Sequence, residues 1–367
     1  MQFSLRPQIG TSLEDLDTPC LILDMDALDH NMATMAEYYQ DRTAKLRGHG
    51  KNHKSPAIAH RQIRRGGTVG GVCAAKVAEA EVMVHGGVPS VFVTSEITAA
   101  LKIKRLCTLA QQAQILVACE DLDNARDLSR SAAALGVDLG VVIEIETGLR
   151  RCGVQNPEQG VALAQGIGSL PGISFQGIMS HQMMDQPSSE REDRVTEGRQ
   201  LIQKVLDLKK AIEMAGIPVA IVSTGETWSY DVAGEIPGVT EIQGGTYLLM
   251  ETSYDYMRDF QFAGKVLTTI ISTPRAGVAV GDAGIKAVGS LKGMPAVDGR
   301  PGVVVESMDA DHAMYRLNPA SNLQIGQQLC LIPAQQDAMV SRWDRFVGIR
   351  DGKVEAVWDI EARGCHN

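Results

Sequence analysis

Short apolar runs alternate with longer amphipathic stretches from about residue 20 to about residue 250. The runs are Leu21–Leu23, Leu46–Gly50, Thr68–Cys73, Val91–Thr94, Ile115–Cys119, Gly140–Glu146, Phe175–Ser180, Val219–Ser223 and Thr240–Met250. They read as strands. Segments with helical spacing lie between most of them, such as Asp26–Asp41 and Arg191–Ala215. Alternation of this kind predicts an α/β fold with a parallel sheet and helical crossovers. Eight or nine units over about 230 residues suit a closed (β/α)8 TIM-like barrel. An open doubly wound sheet is the rival arrangement.

The pattern changes near residue 260. Val266–Ser272, Val278–Val280, Gly302–Ser307, Gln328–Ile332, Phe346–Ile349 and Val354–Asp359 are short and β-rich. Turn signals such as Val297-Asp-Gly and Arg350-Asp-Gly separate them, which predicts an antiparallel β domain. Residues 1–18 precede the first convincing apolar run and are expected to join that domain. The expected division is therefore a barrel over 19–258, and a β domain from 1–18 plus 259–367.

Composition narrows the function classes. With 44% hydrophobic and 22% charged residues, the chain reads as an ordinary soluble globular protein. The formal net charge is −9, and no basic run is long enough to track a phosphate backbone, which argues against nucleic acid as the main partner. A small anion can still be held by local groups. No apolar run reaches membrane length, and the opening MQFSLRPQIGTSLEDLDTP has no charged start followed by an apolar stretch. A cytoplasmic protein without a membrane partner is expected. The seven cysteines are scattered and contain no CxxC pair, so they read as reduced, mostly buried thiols rather than a disulfide frame or zinc site.

In an α/β barrel, chemistry sits where strands end. Four clusters follow strand candidates or stand in the β domain. Leu46-Arg-Gly-His49-Gly-Lys51-Asn-His-Lys54 puts a lysine just after a strand, among more cations, which favour its neutral, nucleophilic amine. By spacing alone a solvated basic loop is the readier reading. Glu144-Ile-Glu-Thr-Gly148-Leu-Arg150-Arg151-Cys-Gly153 delivers guanidinium groups suited to a phenolate or carboxylate, or a structural Arg–Glu pair. Ser223-Thr224-Gly225 and Gly244-Gly245-Thr246 follow the last two barrel strands, where barrels often hold a phosphate; ordinary βα turns are the alternative. In the β domain, His312 and Asp337 are candidates for a metal or a substrate, or are satisfied structural polar groups.

Taken in order, these clusters resemble one family. Asp17-Thr-Pro19, Arg47-x-His49-x-Lys51-x-His53-Lys54 and Gly148-x-x-Arg151-Cys-Gly153-Val are similar to its opening, cofactor and arginine motifs. Pro237-Gly-Val-Thr-Glu241-Ile-x-x-Gly245-Thr-Tyr247, Asp282-Ala-Gly284-x-Lys286-Ala and Val357-Trp-Asp-Ile-Glu-Ala-Arg363-Gly extend the likeness across nearly the whole chain. The chain resembles the D-threonine aldolase and D-serine dehydratase family, pyridoxal-phosphate enzymes of the alanine-racemase-like fold.

The resemblance implies a homodimer acting on a β-hydroxy-D-amino acid. Lys51 would carry pyridoxal 5′-phosphate, with His49 in the same motif. Arg151 would face the cofactor's ring oxygen. Ser223, Thr224, Gly225, Gly244, Gly245 and Thr246 would hold its phosphate. It also implies departures. Relatives often bind a divalent metal through His-x-Cys or His-x-Asp, where this chain has Gln335-Gln336-Asp337. An amide oxygen is a weak ligand suited to harder cations, so Zn²⁺ or Mn²⁺ should bind more weakly than in relatives; a divalent cation on Asp337 and Gln335 (Mg²⁺, Mn²⁺ or Ca²⁺), or no metal, is expected. His181 stands where relatives often carry tyrosine and is followed by Met183, Met184 and Asp185. It becomes the candidate acid–base residue. Trp343, where relatives often carry histidine, and His312 are the substrate-side candidates. Retro-aldol cleavage leads because of Asp337. Dehydration with loss of ammonia is the alternative, then racemisation, then non-catalytic cofactor binding.

Overall fold

The computed structural model describes residues 6–184 and 187–367. Residues 1–5 of the segment expected to join the β domain, and Asp185, lie outside the described residues. The chain forms two compact units. One takes in the described part of Met1–Met32, with Asn52–Ser55 and Thr246–Gly364; the other takes in Ala33–Lys51, Pro56–Gly245 and Cys365–Asn367.

Strand β1 (Cys20–Asp24) leads into helix α1 (Met25–Gln40). Then come β2 (Lys45–His49), β3 (Thr68–Ala74), β4 (Ser90–Glu96), β5 (Gln114–Cys119), β6 (Leu139–Glu144), β7 (Ile173–Met179), β8 (Ile221–Ser223) and β9 (Glu241–Ile242). These eight are parallel and close into a barrel, with Lys45 opposite Glu241 and Leu46 opposite Ile242 at the seam. The rival open sheet is therefore excluded. Helices α2 (Pro56–Arg65), α3 (Val77–His85), α4 (Ala100–Leu109), α5 (Leu122–Leu135), α6 (Pro157–Gly168), α7 (Arg191–Met214) and α8 (Tyr230–Ala233) fall between successive strands. Their apolar faces explain why strands such as β5 and β6 carry few polar residues. Ile115, Val117, Val141 and Ile143 pack in the outer core with Leu128, Ala132 and Ile167 of the helices. The alternate residues Leu116, Ala118 and Val142 turn inward and meet Cys73, Phe92 and Met179.

One expectation is overturned. Leu21–Leu23, read as the first barrel strand, is β1 and lies outside the barrel. It pairs antiparallel with β10 (Gly264–Arg275) and parallel with β16 (Arg345–Arg350). A three-residue apolar run looks the same in any strand buried on both faces, so its partners were not readable from its composition. A second expectation shrinks. Only Glu241–Ile242 of Thr240–Met250 is strand, because the Gly244-Gly245 pair ends it and Thr246–Leu248 turns as a 3₁₀ helix.

The short β9 seam is fastened by side chains. Arg47 Nε and Nη2 donate to the two Glu241 carboxylate oxygens at 2.8 and 2.7 Å, and Arg47 Nη1 donates to Ser90 Oγ at 3.0 Å. Burial opposes the Arg47 charge, but the Glu241 carboxylate outweighs it and holds the guanidinium above its ordinary range. Gly71 leaves room for this fork, since a Cβ there would sit 2.4 Å from Ser90 O and 2.9 Å from Arg47 Nη1.

The other unit continues with β11 (Val278–Gly281), α9 (Ile285–Val288), β12 (Ala296–Val297), β13 (Val303–Met308), β14 (Ala313–Leu317), β15 (Gln328–Ile332), α10 (Gln336–Val340), β16 and β17 (Lys353–Asp359). Its nine strands run in the order β11-β14-β13-β12-β15-β10-β1-β16-β17, antiparallel except for β1–β16, and β11 also pairs with β10. The Arg350-Asp-Gly signal forms the β16–β17 hairpin, with Asp351 and Gly352 at φ 50° and 68°, as a type I′ turn requires. Among the described residues no helix is long and apolar enough to cross a membrane.

Candidate active site

The barrel's reactive side chains stand where its strands end. β2 finishes at His49 and enters a 3₁₀ turn, Gly50–Asn52, that carries the half-buried Lys51. His49 is buried, and its Nδ1 accepts the Lys51 N–H at 3.4 Å. That leaves Nε2 to donate to Thr94 Oγ1 at 3.3 Å. His181, just after β7, reaches the same threonine: its Nε2 is 3.2 Å from Thr94 O. The His181 Nδ1 lies 3.5 Å from Glu226 Oε1, and Thr147 Oγ1 fixes the His181 carbonyl at 3.0 Å. Thr94 thus links the two histidines, one through its hydroxyl and the other through its carbonyl.

The two hydroxyl-and-glycine turns adjoin β2. His49 N donates to Gly244 O at 3.0 Å, and Gln243 Nε2 donates to Ser223 Oγ at 3.0 Å. The fully buried Thr224 lies 2.7 Å from Ser180 Oγ and accepts from Gln182 Nε2 at 2.9 Å. Gly225 adopts φ 103°, and a Cβ there would stand 2.6 Å from Ala233 Cβ, so glycine is required on both counts. The buried amides of Gly225 and Gly245 donate to no acceptor among the described residues. Buried N–H groups are rarely left unused, and here they lie beside two buried hydroxyls.

Across the ring the character reverses. Glu96 ends β4, Glu120 follows β5 and Glu144 ends β6. Arg151 Nη2 is 4.0 Å from Glu144 Oε1, but the guanidinium is half-exposed while the carboxyl is buried. Burial pushes the Glu144 carboxyl up to about 8, the Glu96 carboxylate adds to this, and Arg151 opposes it. Arg150 is exposed at φ 56°, its N–H held by Glu146 Oε1 at 2.7 Å.

The remaining sequence candidates belong to the other unit. The Thr246 carbonyl accepts from Gln336 Nε2 at 3.0 Å. Asp337 Oδ1 accepts from Asn52 Nδ2 at 2.6 Å, while Asn52 Oδ1 and Gln335 Oε1 are buried with no hydrogen-bond partner. His312 is exposed in the turn between β13 and β14, and Trp343 donates its indole N–H to Ala287 O at 2.8 Å. All seven cysteines are free; Cys73, Cys107 and Cys119 are buried and the other four are half-buried. Sequence reasoning missed Thr94, Glu96, Glu120 and Glu226. Each sits at or just beyond a strand end, the same signal that singled out Lys51.

Two family models cover most of the chain. The alanine racemase N-terminal domain matches residues 23–252, and the putative serine dehydratase domain matches residues 263–349. The chain belongs to the alanine racemase N-terminal domain family. Within that family it is 35% identical to the 3-hydroxy-D-aspartate aldolase of Paracoccus denitrificans (strain Pd 1222), over 97% of this chain and 94% of that protein. It is 31% identical to the D-threonine aldolase of an Arthrobacter species, over 97% and 95% of the two chains. The crystal structure of D-threonine aldolase from Filomicrobium marinum superposes with a TM-score of 0.94 at 33% identity, covering 98% of this chain and all of that one. The family resemblance and the barrel-plus-β architecture expected from the motifs are both borne out.

Proposed function

We propose that the chain is a pyridoxal-phosphate-dependent lyase that cleaves β-hydroxy-D-amino acids to an aldehyde and a small amino acid by retro-aldol reaction. One observation carries the reading: the Lys51 turn adjoins two anion-ready turns, through His49 N to Gly244 O and Gln243 to Ser223. Full-length likeness to two aldolases supports the reaction class.

The residues present fit the cofactor. A half-buried primary amine suits an aldehyde, while buried hydroxyls and amides without acceptors suit a phosphate. When bound, pyridoxal phosphate supplies an electron sink for charge developing at the substrate's Cα. Lys51 is the attachment point, and His49 holds the Lys51 backbone in its turn. Ser223, Thr224, Gly225, Gly244 and Gly245 cradle the phosphate, with Thr246 next in the chain. Arg151 offers a fixed-charge donor to the ring oxygen. His181 takes the proton from the β-hydroxyl, and Glu226 orients its ring.

Asp337 and Gln335 offer oxygen ligands, which suit a hard divalent cation, Mg²⁺ or Mn²⁺, better than a soft one, and the Asn52 amide N–H holds Asp337. His312 and Trp343 belong to the substrate side of the same reading. The working form is a cytoplasmic homodimer acting on a small amino acid.

The test is a panel of β-hydroxy-D-amino acids assayed with EDTA, then with added Mg²⁺ or Mn²⁺. Glycine plus an aldehyde is the expected product pair. A keto acid plus ammonia would replace the aldolase by a dehydratase, and loss of optical activity alone by a racemase.

A further inference from the structure

One cavity lies wholly within the unit that carries the nine-stranded sheet, and its volume is about 390 Å³. The buried Leu16, Leu21 and Val347, with Pro19, give it apolar walls. β1 and β16 run parallel with Ile22 opposite Val347, so their first residues, Cys20 and Arg345, fall side by side at the cavity. Trp343 also lines it. Its indole N–H is already given to Ala287 O, so the ring is what it offers.

Arg345 is the group that this setting does not satisfy. Its Nε and Nη1 are buried with no hydrogen-bond partner among the described residues. A guanidinium stays charged throughout the physiological pH range, so it cannot escape burial by losing its proton. Buried N–H groups on a cation are costly unless an acceptor meets them. The carboxylates flanking Arg345 are engaged elsewhere: Asp344 by Arg363 at 2.6 Å, Asp359 by Arg6 at 3.2 Å, and Glu361 by Ser55 Oγ at 3.1 Å. Cys20 supplies no charge either, because burial, then Asp17, push its thiol up to about 11 against the opposing Arg345. Asp15 and Asp17 line the cavity, but both are exposed.

We propose that this cavity binds a small monocarboxylate with an apolar body, its carboxylate on Arg345 and its body against Leu16, Pro19 and the Trp343 ring. The walls select that class. Buried guanidinium N–H groups call for an acceptor, and a charged acceptor makes the stronger bond. The volume falls in the range of small-molecule pockets, about 300–1,000 Å³. Asp15 and Asp17 disfavour a second negative charge, which sets a monoanion apart from a phosphate or a dicarboxylate. Holding Arg345 without a partner costs stability, and a bound anion offsets that cost. The inference does not rest on the proposed reaction, in which Trp343 alone of these residues has a part.

The test titrates the full purified chain, with any bound cofactor retained, with 3-phenylpropanoate by isothermal calorimetry. The probe has no amine, so it does not compete for a cofactor's aldehyde. A single saturable site per chain is expected. The uncharged 3-phenylpropanamide and the doubly charged benzylsuccinate bind at least about 10-fold more weakly. Arg345→Met weakens binding of the acid by about 10–100-fold. It melts no lower than the unmodified chain by circular dichroism, because it removes an unpaired cation. Lys51→Ala leaves the affinity unchanged, so failure of the aldolase reading would not remove this one. Absence of saturable binding overturns the proposal, as does binding of the amide or the diacid as tight as that of the acid. Unchanged affinity in Arg345→Met also overturns it. So does a lower melt in that variant, which would make the arginine structural.

Discussion

The two sides of the barrel mouth share one architecture and carry opposite hydrogen-bonding character. At β8, β9 and β2, buried hydroxyls sit beside the amides of Gly225 and Gly245, which meet no acceptor among the described residues. At β4, β5 and β6, carboxyls cluster instead, and burial with the neighbouring Glu96 carboxylate pushes Glu144 up to about 8. One side is lined by hydroxyls and amides and the other by carboxyls. A parallel barrel fixes only where side chains emerge, so the residue at each strand end decides which charge that sector receives. The contrast separates a hydroxyl-and-amide sector from an acidic one without reference to any bound molecule.

The contrast can be broken in order of expected effect. Lys51→Ala removes the amine from the donor side and abolishes the visible absorbance band of the purified protein together with turnover. A retained band would move the cofactor lysine elsewhere. His181→Asn lowers kcat by about 10²–10⁴-fold with the band intact, the usual range for losing a general base, in steady-state assays. A matching loss of the band would place His181 in cofactor binding instead. Arg47→Ala leaves Glu241 as an unpaired buried charge beside the donor turns and destabilises folding by about 3–5 kcal/mol, read from urea unfolding. Thr224→Val removes one buried hydroxyl and speeds cofactor loss on dialysis by about 10–100-fold. It leaves the fold intact by circular dichroism, and an equal loss of stability would mean that the hydroxyl is structural.

Much of this was legible in the sequence because periodicity and turn chemistry are local. The eight barrel strands announced themselves as apolar runs between helical segments, and Arg350-Asp-Gly carried the residues its hairpin needs. Lys51 and the Ser223 and Gly244 turns were found by their place after strands. What failed was non-local. Leu21–Leu23 has a barrel strand's composition, and only its pairing with β10 and β16 removes it from the barrel. Arg47 read as one cation of a reactive loop, yet it is a buried strut to Glu241. Cys152 read as one scattered thiol, and its approach to Glu96 and Glu120 was not visible because those residues lie far away in sequence. Gly153 offered the local hint, as a residue that lets a loop double back.

The seam also sets the order in which this molecule can be made. Arg47 and Glu241 are 194 positions apart, and the strand carrying Glu241 is the last stave. During synthesis, the edge of β2 therefore waits, open, until nearly two-thirds of the polypeptide has left the ribosome. Ring closure at such separation is slow, and an open parallel edge invites pairing with other chains in the meantime. Survival of the nascent protein then depends on how well that edge is shielded during the wait, a demand that falls on chaperones rather than on the finished ring.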